Sequence, residues 1–254
     1  MEALGLNLLI AILVLGTFFV VYLKRQDPSI VDVAWTLSLT LMSMASFYLV
    51  EEKTISSFVF LLMTLIWGAR LIVLLMMRYK KGQKDMRYDQ LKISFSDAQT
   101  KKFFLFFSFQ AAAAFLMSSS FIIAYQIKTL TKLQSLAFIL FLIFISLEIL
   151  ADYQMFVFRK THHGRPGVMR SGLWRYSRHP NYFFEILVWC TFALFGSSSL
   201  VAIVSWAVVL MLLYFILNVT GIPATEEHLL KIKGEAYKNY QATTSKFFPW
   251  FPKS

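Results

Sequence analysis

Cysteine and acidic side chains are the scarce residues of this chain. One cysteine, Cys190, stands among 254 residues, and a single thiol closes no internal disulfide and builds no cysteine metal site. Asp and Glu number 14. All charged residues together reach 15%, against about 25% in soluble domains, so an ordinary soluble globule is excluded. No Gly-x-Gly-x-x-Gly turn joins a strand to a helix, so any dinucleotide is held by something other than a Rossmann domain. His162 and His163 are adjacent and point different ways on a helix. With no third ligand at a suitable spacing, no metal is expected. There is no low-complexity tract and no clear internal repeat.

What the chain has in quantity is apolar surface: 57% hydrophobic residues, 26 of them Phe. A bilayer span needs about 20 mainly apolar residues. The runs at 3–23, 30–50, 55–77, 103–127, 134–158, 180–196 and 199–218 are read as spans, the last two separated only by Gly196 to Ser199. Lipid offers the backbone no hydrogen bonds, so these runs should be helices. The first lacks a preceding basic stretch and a small-residue cleavage site, and is read as a retained helix. The expected fold is an all-α integral membrane protein of about seven transmembrane helices. It forms one membrane domain, 1–254, with a tail at 219–254.

The net charge of +11 invites a nucleic-acid reading, which the distribution of charge excludes. Segments 24–29, 78–102, 159–179 and 219–254 hold 21 of the 25 Lys and Arg. With an odd number of spans and the N-terminus outside, all four face the cytosol, as the positive-inside rule requires. Such loops also suit anionic lipid head groups. The expected host is a bacterial plasma membrane, or the endoplasmic reticulum for a eukaryotic chain.

Ionisable groups inside spans mark function or a buried pair. Asp32 and Trp35 share a face of span 2, and Trp67 and Arg70 a face of span 3. Asp32 near a span end also suits a cap or a wet acid. On span 5, Glu148, Asp152 and Arg159 are spaced by 4 and 7 residues, a single stripe within ~40°; a structural ion pair would produce the same stripe. Span 6 opens with Pro180, suited to a first helical turn, followed by Asn181 and Glu185 one turn apart. Before it, Gly164, Pro166, Gly167 and Gly172 break regular structure, and Arg165, Arg170, Arg175 and Arg178 stud the loop. Guanidiniums at a helix start make an anion site, for a ligand phosphate or for lipid phosphates. The tail adds Glu226, Glu227 and His228 and an aromatic run, Phe247 to Phe251, that suits the membrane interface. It could fold back over the basic loop as a cover.

The string "GLWRYSRHPNYFFE" from Gly172 to Glu185 resembles the signature of the bacterial DUF1295 proteins, the steroid 5-alpha-reductase-like membrane enzymes. "DVAW" at 32–35, "WGARL" at 67–71, "RYDQL" at 87–91, "ADYQ" at 151–154 and "GIP" with the acidic pair at 221–227 match in order and spacing. The resemblance implies a seven-helix fold that holds NADPH and reduces an activated carbon–carbon double bond. It places Glu148, Asp152 and Arg159 at the cofactor, with Glu148 standing where steroid reductases have Asn. Asn181 and Glu185 match the family's Asn–Glu pair directly. Arg170, Tyr176, Arg178, His179 and Glu226 join the cofactor set. The family's carbonyl-polarising Tyr falls at Trp67, a donor only, and Asp32 is the nearest counterpart of its acid. These departures leave the lipophilic substrate open, and a steroid is not implied. Asp32 could polarise a carbonyl as a donor only if protonated.

Two other readings exist. Isoprenylcysteine and phospholipid methyltransferases, which use S-adenosylmethionine, also show an RHP motif followed by tyrosine and a later Glu–Glu pair. Arg178, His179, Pro180, Tyr182, Glu226 and Glu227 fit that pattern. Asn181, Glu185 and the Asp152–Arg159 spacing favour the reductase. In the third reading the chain is a non-catalytic lipid-binding or assembly protein whose buried polar groups are structural.

Overall fold

The computed structural model describes residues 2–80, 86–162 and 167–253. His163, Gly164, Arg165 and Pro166 of the basic loop lie outside the described residues. Among those described, every regular element is helical. They are α1 (Glu2–Arg25), α2 (Ile30–Leu49), α3 (Ile55–Lys80), α4 (Met86–Ser94), α5 (Gln99–Tyr125), α6 (Lys132–His162), α7 (Pro180–Phe195), α8 (Ala202–Asn218), α9 (Ile222–Lys233) and α10 (Glu235–Thr243).

Six stretches are long and apolar enough to cross a membrane: Glu2–Arg25, Ile30–Leu49, Ile55–Met77, Ser96–Tyr125, Lys132–His162, and Ala202–Lys233, which runs α8 and α9 together. The run expected as the sixth of seven spans is α7, with 16 residues. At 1.5 Å per residue it rises roughly 24 Å, short of a hydrocarbon core of about 30 Å. Gly196–Ser198 end it in a 3-10 turn. Length and composition therefore support six crossing helices, one fewer than the apolar runs suggest.

The burial pattern on α1 shows which solvent these helices suit. Asn7, Ala11 and Leu15 are buried while Leu8, Leu9, Ile12 and Leu13 are exposed. The polar Asn7 faces protein while a broad apolar face is left outward, as a lipid surround allows.

Contacts divide the chain into two compact units, residues 1–138 with 192–208 and residues 139–191 with 209–254. In the first, α2 packs against α1, α3 and α5, and buried polar side chains fix the register. Asn7 Nδ2 donates to Ser46 Oγ at 3.2 Å and to Ser118 Oγ at 3.1 Å. The Ser43 hydroxyl meets Thr64 Oγ1 at 2.7 Å and the Tyr125 hydroxyl at 2.8 Å. Gly68 lets α3 approach α2 so closely that a Cβ there would stand 2.1 Å from Thr40 Oγ1. Phe60 adds edge-on ring contacts to Tyr125 and Phe192. At one end Lys128 pairs with Glu52 at 3.2 Å. At the other, Lys92 donates to the Gln26 carbonyl and Tyr88 reaches Asp32. The second unit contains most of α6, the loop after it, the start of α7, the end of α8, and the folded tail.

Candidate functional site

The loop before α7 is held first by α6. Trp174 Nε1–H donates to the Ala151 carbonyl at 2.9 Å, and the Leu173 N–H donates to Gln154 Oε1 at 3.0 Å. Gly172 makes the turn possible. Its φ is +61°, and a Cβ there would sit 2.4 Å from the Gln154 amide nitrogen, so only glycine meets both demands. The "ADYQ" piece is thus the seat for "GLW".

The tail then closes over the loop, as the sequence suggests. The Arg178 N–H donates to the Ser245 carbonyl and the Trp250 N–H to the Tyr176 carbonyl, both at 2.9 Å. Ser177 Oγ donates to the Phe247 carbonyl at 2.8 Å. Tyr240 donates its hydroxyl to the Trp174 carbonyl. Arg170 Nη2 donates to the Ala236 carbonyl at 2.7 Å and lies over the Tyr240 ring at 5.6 Å.

At the centre of this closure is the Glu226 carboxylate, supplied by α9. Arg178 donates from Nε to Oε1 at 2.6 Å and from Nη2 to Oε2 at 3.2 Å. His179 Nε2 is 3.1 Å from Oε1, and Gln241 Nε2 donates to Oε2 at 3.0 Å. Arg178 Nη1 donates to the Gln241 and Thr244 carbonyls at 3.0 and 2.7 Å. The Arg178 and Glu226 side chains are 8% and 13% exposed, so this is a nearly dry, forked ion pair of the stronger kind. The sequence offers Arg178 among the loop arginines for a phosphate, and the resemblance adds His179 to the cofactor set. In the structure they meet the chain's own carboxylate, and the Arg178 guanidinium is committed to holding the tail. Burial pushes the His179 imidazole below its ordinary range. Glu226 opposes that shift, while Arg178 and Lys246 add to it.

The remaining candidates fall in two places. In the second unit, Glu148 and Asp152 are buried at 2% and 8% exposure, and Arg159 is exposed near the end of α6. Asn181, in the first turn of α7, has a buried Oδ1 with no hydrogen-bond partner among the described residues. Glu185 Oε1 accepts from Trp189 Nε1–H at 3.0 Å. Tyr176 packs edge-on against Phe251, ring centres 5.8 Å apart. In the first unit, Trp67 is fully buried, edge-on to Trp35 at 6.1 Å and to Phe192 at 6.2 Å. Asp32 is half-buried in the first turn of α2, and the Tyr88 hydroxyl donates to its Oδ1 at 2.6 Å. Just before the helix, Asp27 accepts from the Ser29 N–H and hydroxyl at 3.0 and 2.7 Å. Tyr88 lies within the quoted "RYDQL", but α4 is short and polar, with no periodicity to aim the ring at α2.

Two adjacent acids give a direct test of the closure. Glu226→Ala leaves a buried guanidinium without its counter-charge and should cost about 3–5 kcal/mol. Among the described residues Glu227 makes only an exposed pair with Lys231, and Glu227→Ala should stay within about 0.5 kcal/mol. Thermal unfolding of the detergent-purified variants checks both; equal losses would mean that the Glu226 cluster does not hold the tail. Acid should act the same way. Because the folded-state pKa of His179 is depressed, its share of stability is complete above the unfolded value of about 6.5. That share is lost on acidification by up to roughly 1.4 kcal/mol per pH unit. His179→Asn should flatten the slope of melting temperature between about pH 6.5 and 5.

The family described as "Protein of unknown function (DUF1295)" matches residues 18–244. A curated relative, "Uncharacterized protein C594.04c" of Schizosaccharomyces pombe, is 31% identical over 87 residues. The match covers 33% of this chain and 24% of that protein's length. No solved structure matches the chain. The family match runs from α1 to the end of the tail helices and takes in Gly172, Trp174, Arg178 and Glu226: the chain belongs to the DUF1295 family.

Proposed function

We propose that the protein is a membrane-embedded, NADPH-dependent reductase of an activated double bond in a lipophilic enone. The observation that carries the reading is the Asn181 side-chain oxygen, buried at the start of α7 with no partner among the described residues. An unsatisfied buried acceptor costs about 1–3 kcal/mol, and a ligand amide or amine N–H would satisfy it. The cofactor's carboxamide and adenine both carry such donors. The fit extends to α6, where two buried carboxyls and an exposed arginine supply acceptors and a cation. Glu148, Asp152, Arg159, Asn181 and Glu185 would hold the cofactor, which supplies hydride when bound. Arg178, His179 and Glu226 contribute by keeping the loop and tail in place.

The S-adenosylmethionine reading draws on Arg178, His179 and Glu226, whose charged groups are already satisfied by one another. The reductase reading also rests on Asn181, Glu185 and the Asp152–Arg159 spacing, which lie outside that cluster. The proton side is assigned to Asp32 and Tyr88. Asp32, where protonated, would donate to a substrate carbonyl and stabilise developing negative charge, with the Tyr88 hydroxyl that reaches its Oδ1 holding it in place.

The test is NADPH consumption by the purified protein with a panel of lipophilic enones. Asp32→Ala should lose roughly 100- to 1000-fold in turnover, as when an oxyanion donor is deleted. Asp32→Asn should retain part of the activity, Tyr88→Phe should fall with Asp32→Ala, and all three should keep cofactor affinity. Unchanged turnover in both Asp32→Ala and Tyr88→Phe would remove the pair from the chemistry.

The orientation proposed with this function has seven crossings, α7 being the short one, with the basic segments in the cytosol. Single cysteines at Glu52 and Lys101 in a Cys190→Ser background should react with an impermeant thiol reagent from opposite sides. Labelling of Lys101→Cys from outside the cell would reverse the orientation.

A further inference from the structure

Beside the closed tail lies a cavity of about 500 Å³ that none of Glu148, Asp152, Arg159, Asn181 or Glu185 lines. That is the size of a small-molecule site, which typically runs from about 300 to 1,000 Å³. Its walls come from the end of α10 and the segment after it, including Ser245, Lys246, Phe248, Trp250, Phe251 and Lys253.

The polarity of these walls is one-sided. The carbonyls at the end of α10 would repel an anion, but they are already taken. Gln241 and Thr244 accept from Arg178, and Thr243 accepts the Lys253 backbone N–H at 2.8 Å. No acidic side chain lines the cavity. Lys246 and Lys253 are exposed and make no ion pair among the described residues. Next to these cations, Phe248, Trp250 and Phe251 are 68%, 73% and 75% exposed. Aromatic rings left this open beside lysines match the composition of a membrane interface. The backbone bonds from Tyr176 and Arg178 keep the face beside the start of the apolar helix α7. A soluble anion would use the cations and leave the rings in water.

We infer that this cavity binds one anionic phospholipid, its phosphate held by Lys246 and Lys253 and the glycerol end of its acyl chains laid along Phe248, Trp250 and Phe251. The site is separate from the proposed cofactor residues and does not depend on the reductase reading.

The experiment is native mass spectrometry of the full chain in detergent with dioleoyl phosphatidylglycerol, dioleoyl phosphatidylcholine or sn-glycerol 3-phosphate added. One phosphatidylglycerol should be retained in preference to phosphatidylcholine. Lys246→Gln/Lys253→Gln should reduce that retention about 30-fold, the factor for two basic residues at roughly 1 kcal/mol each near an anionic lipid surface. Trp250→Ala should weaken phosphatidylglycerol without creating a preference for phosphatidylcholine. Both variants alter exposed side chains, and an unchanged melting temperature confirms that they fold. Equal retention of the two lipids, or no loss in the lysine variant, overturns the proposal. Glycerol 3-phosphate binding as tightly as the lipid would make the site one for a soluble anion. Displacement of the lipid by equimolar NADPH would place the cofactor there instead.

Discussion

One carboxylate decides how the second half of the chain is arranged. Glu226 takes both arms of the Arg178 guanidinium, lies 3.1 Å from the His179 imidazole and accepts from the Gln241 amide. A guanidinium so nearly buried is tolerable only with its charge answered and its hydrogens occupied. Answering it brings α9 to the residues that precede Pro180. Once α9 is there, Arg178 Nη1 reaches the carbonyls of Gln241 and Thr244. The backbone of the tail then pairs with Tyr176 and Arg178. The loop, the start of α7 and the last 30 or so residues of the chain are therefore one cooperative piece, and its failure under acid or substitution should be joint.

The same constraint explains which parts of the sequence could be read directly. Spans are legible because lipid imposes a length and a composition on each run, and α1, α2, α3, α5 and α6 follow the apolar runs closely. Gly172 and Pro180 are legible because each answers a local backbone demand: a positive φ at one, a first helical turn at the other. The partner of Arg178 is not legible in this way. Glu226 lies 48 residues away, and nothing in the local pattern separates a cation awaiting phosphate from one awaiting a carboxylate. The arginine-rich loop therefore reads as a phosphate cradle, whereas its buried arginine is a tie. Glu227, identical in charge and one position on, points to Lys231 in solvent.

Two other departures have equally local causes. The run at 180–196 forms a helix within its expected bounds, but Pro180 at one end and Gly196 at the other leave it 16 residues, shorter than the other apolar helices. The Asp32 partner was hidden because Tyr88 comes from α4, too short and polar to show a hydrophobic face. What remains of the cofactor reading is concentrated on α6 and the first turn of α7. There, buried carboxyls and an unsatisfied amide oxygen are expensive features that packing alone does not require.

The central claim is that this second unit accommodates a nicotinamide dinucleotide. The most direct measurement is an equilibrium titration of the purified chain, by calorimetry or ligand fluorescence, with NADPH and separately with S-adenosylmethionine. The account predicts saturable one-site binding of NADPH, weakened about 5- to 150-fold in Asn181→Ala, the range for a lost buried polar contact. Saturable binding of S-adenosylmethionine with no response to NADPH would contradict it.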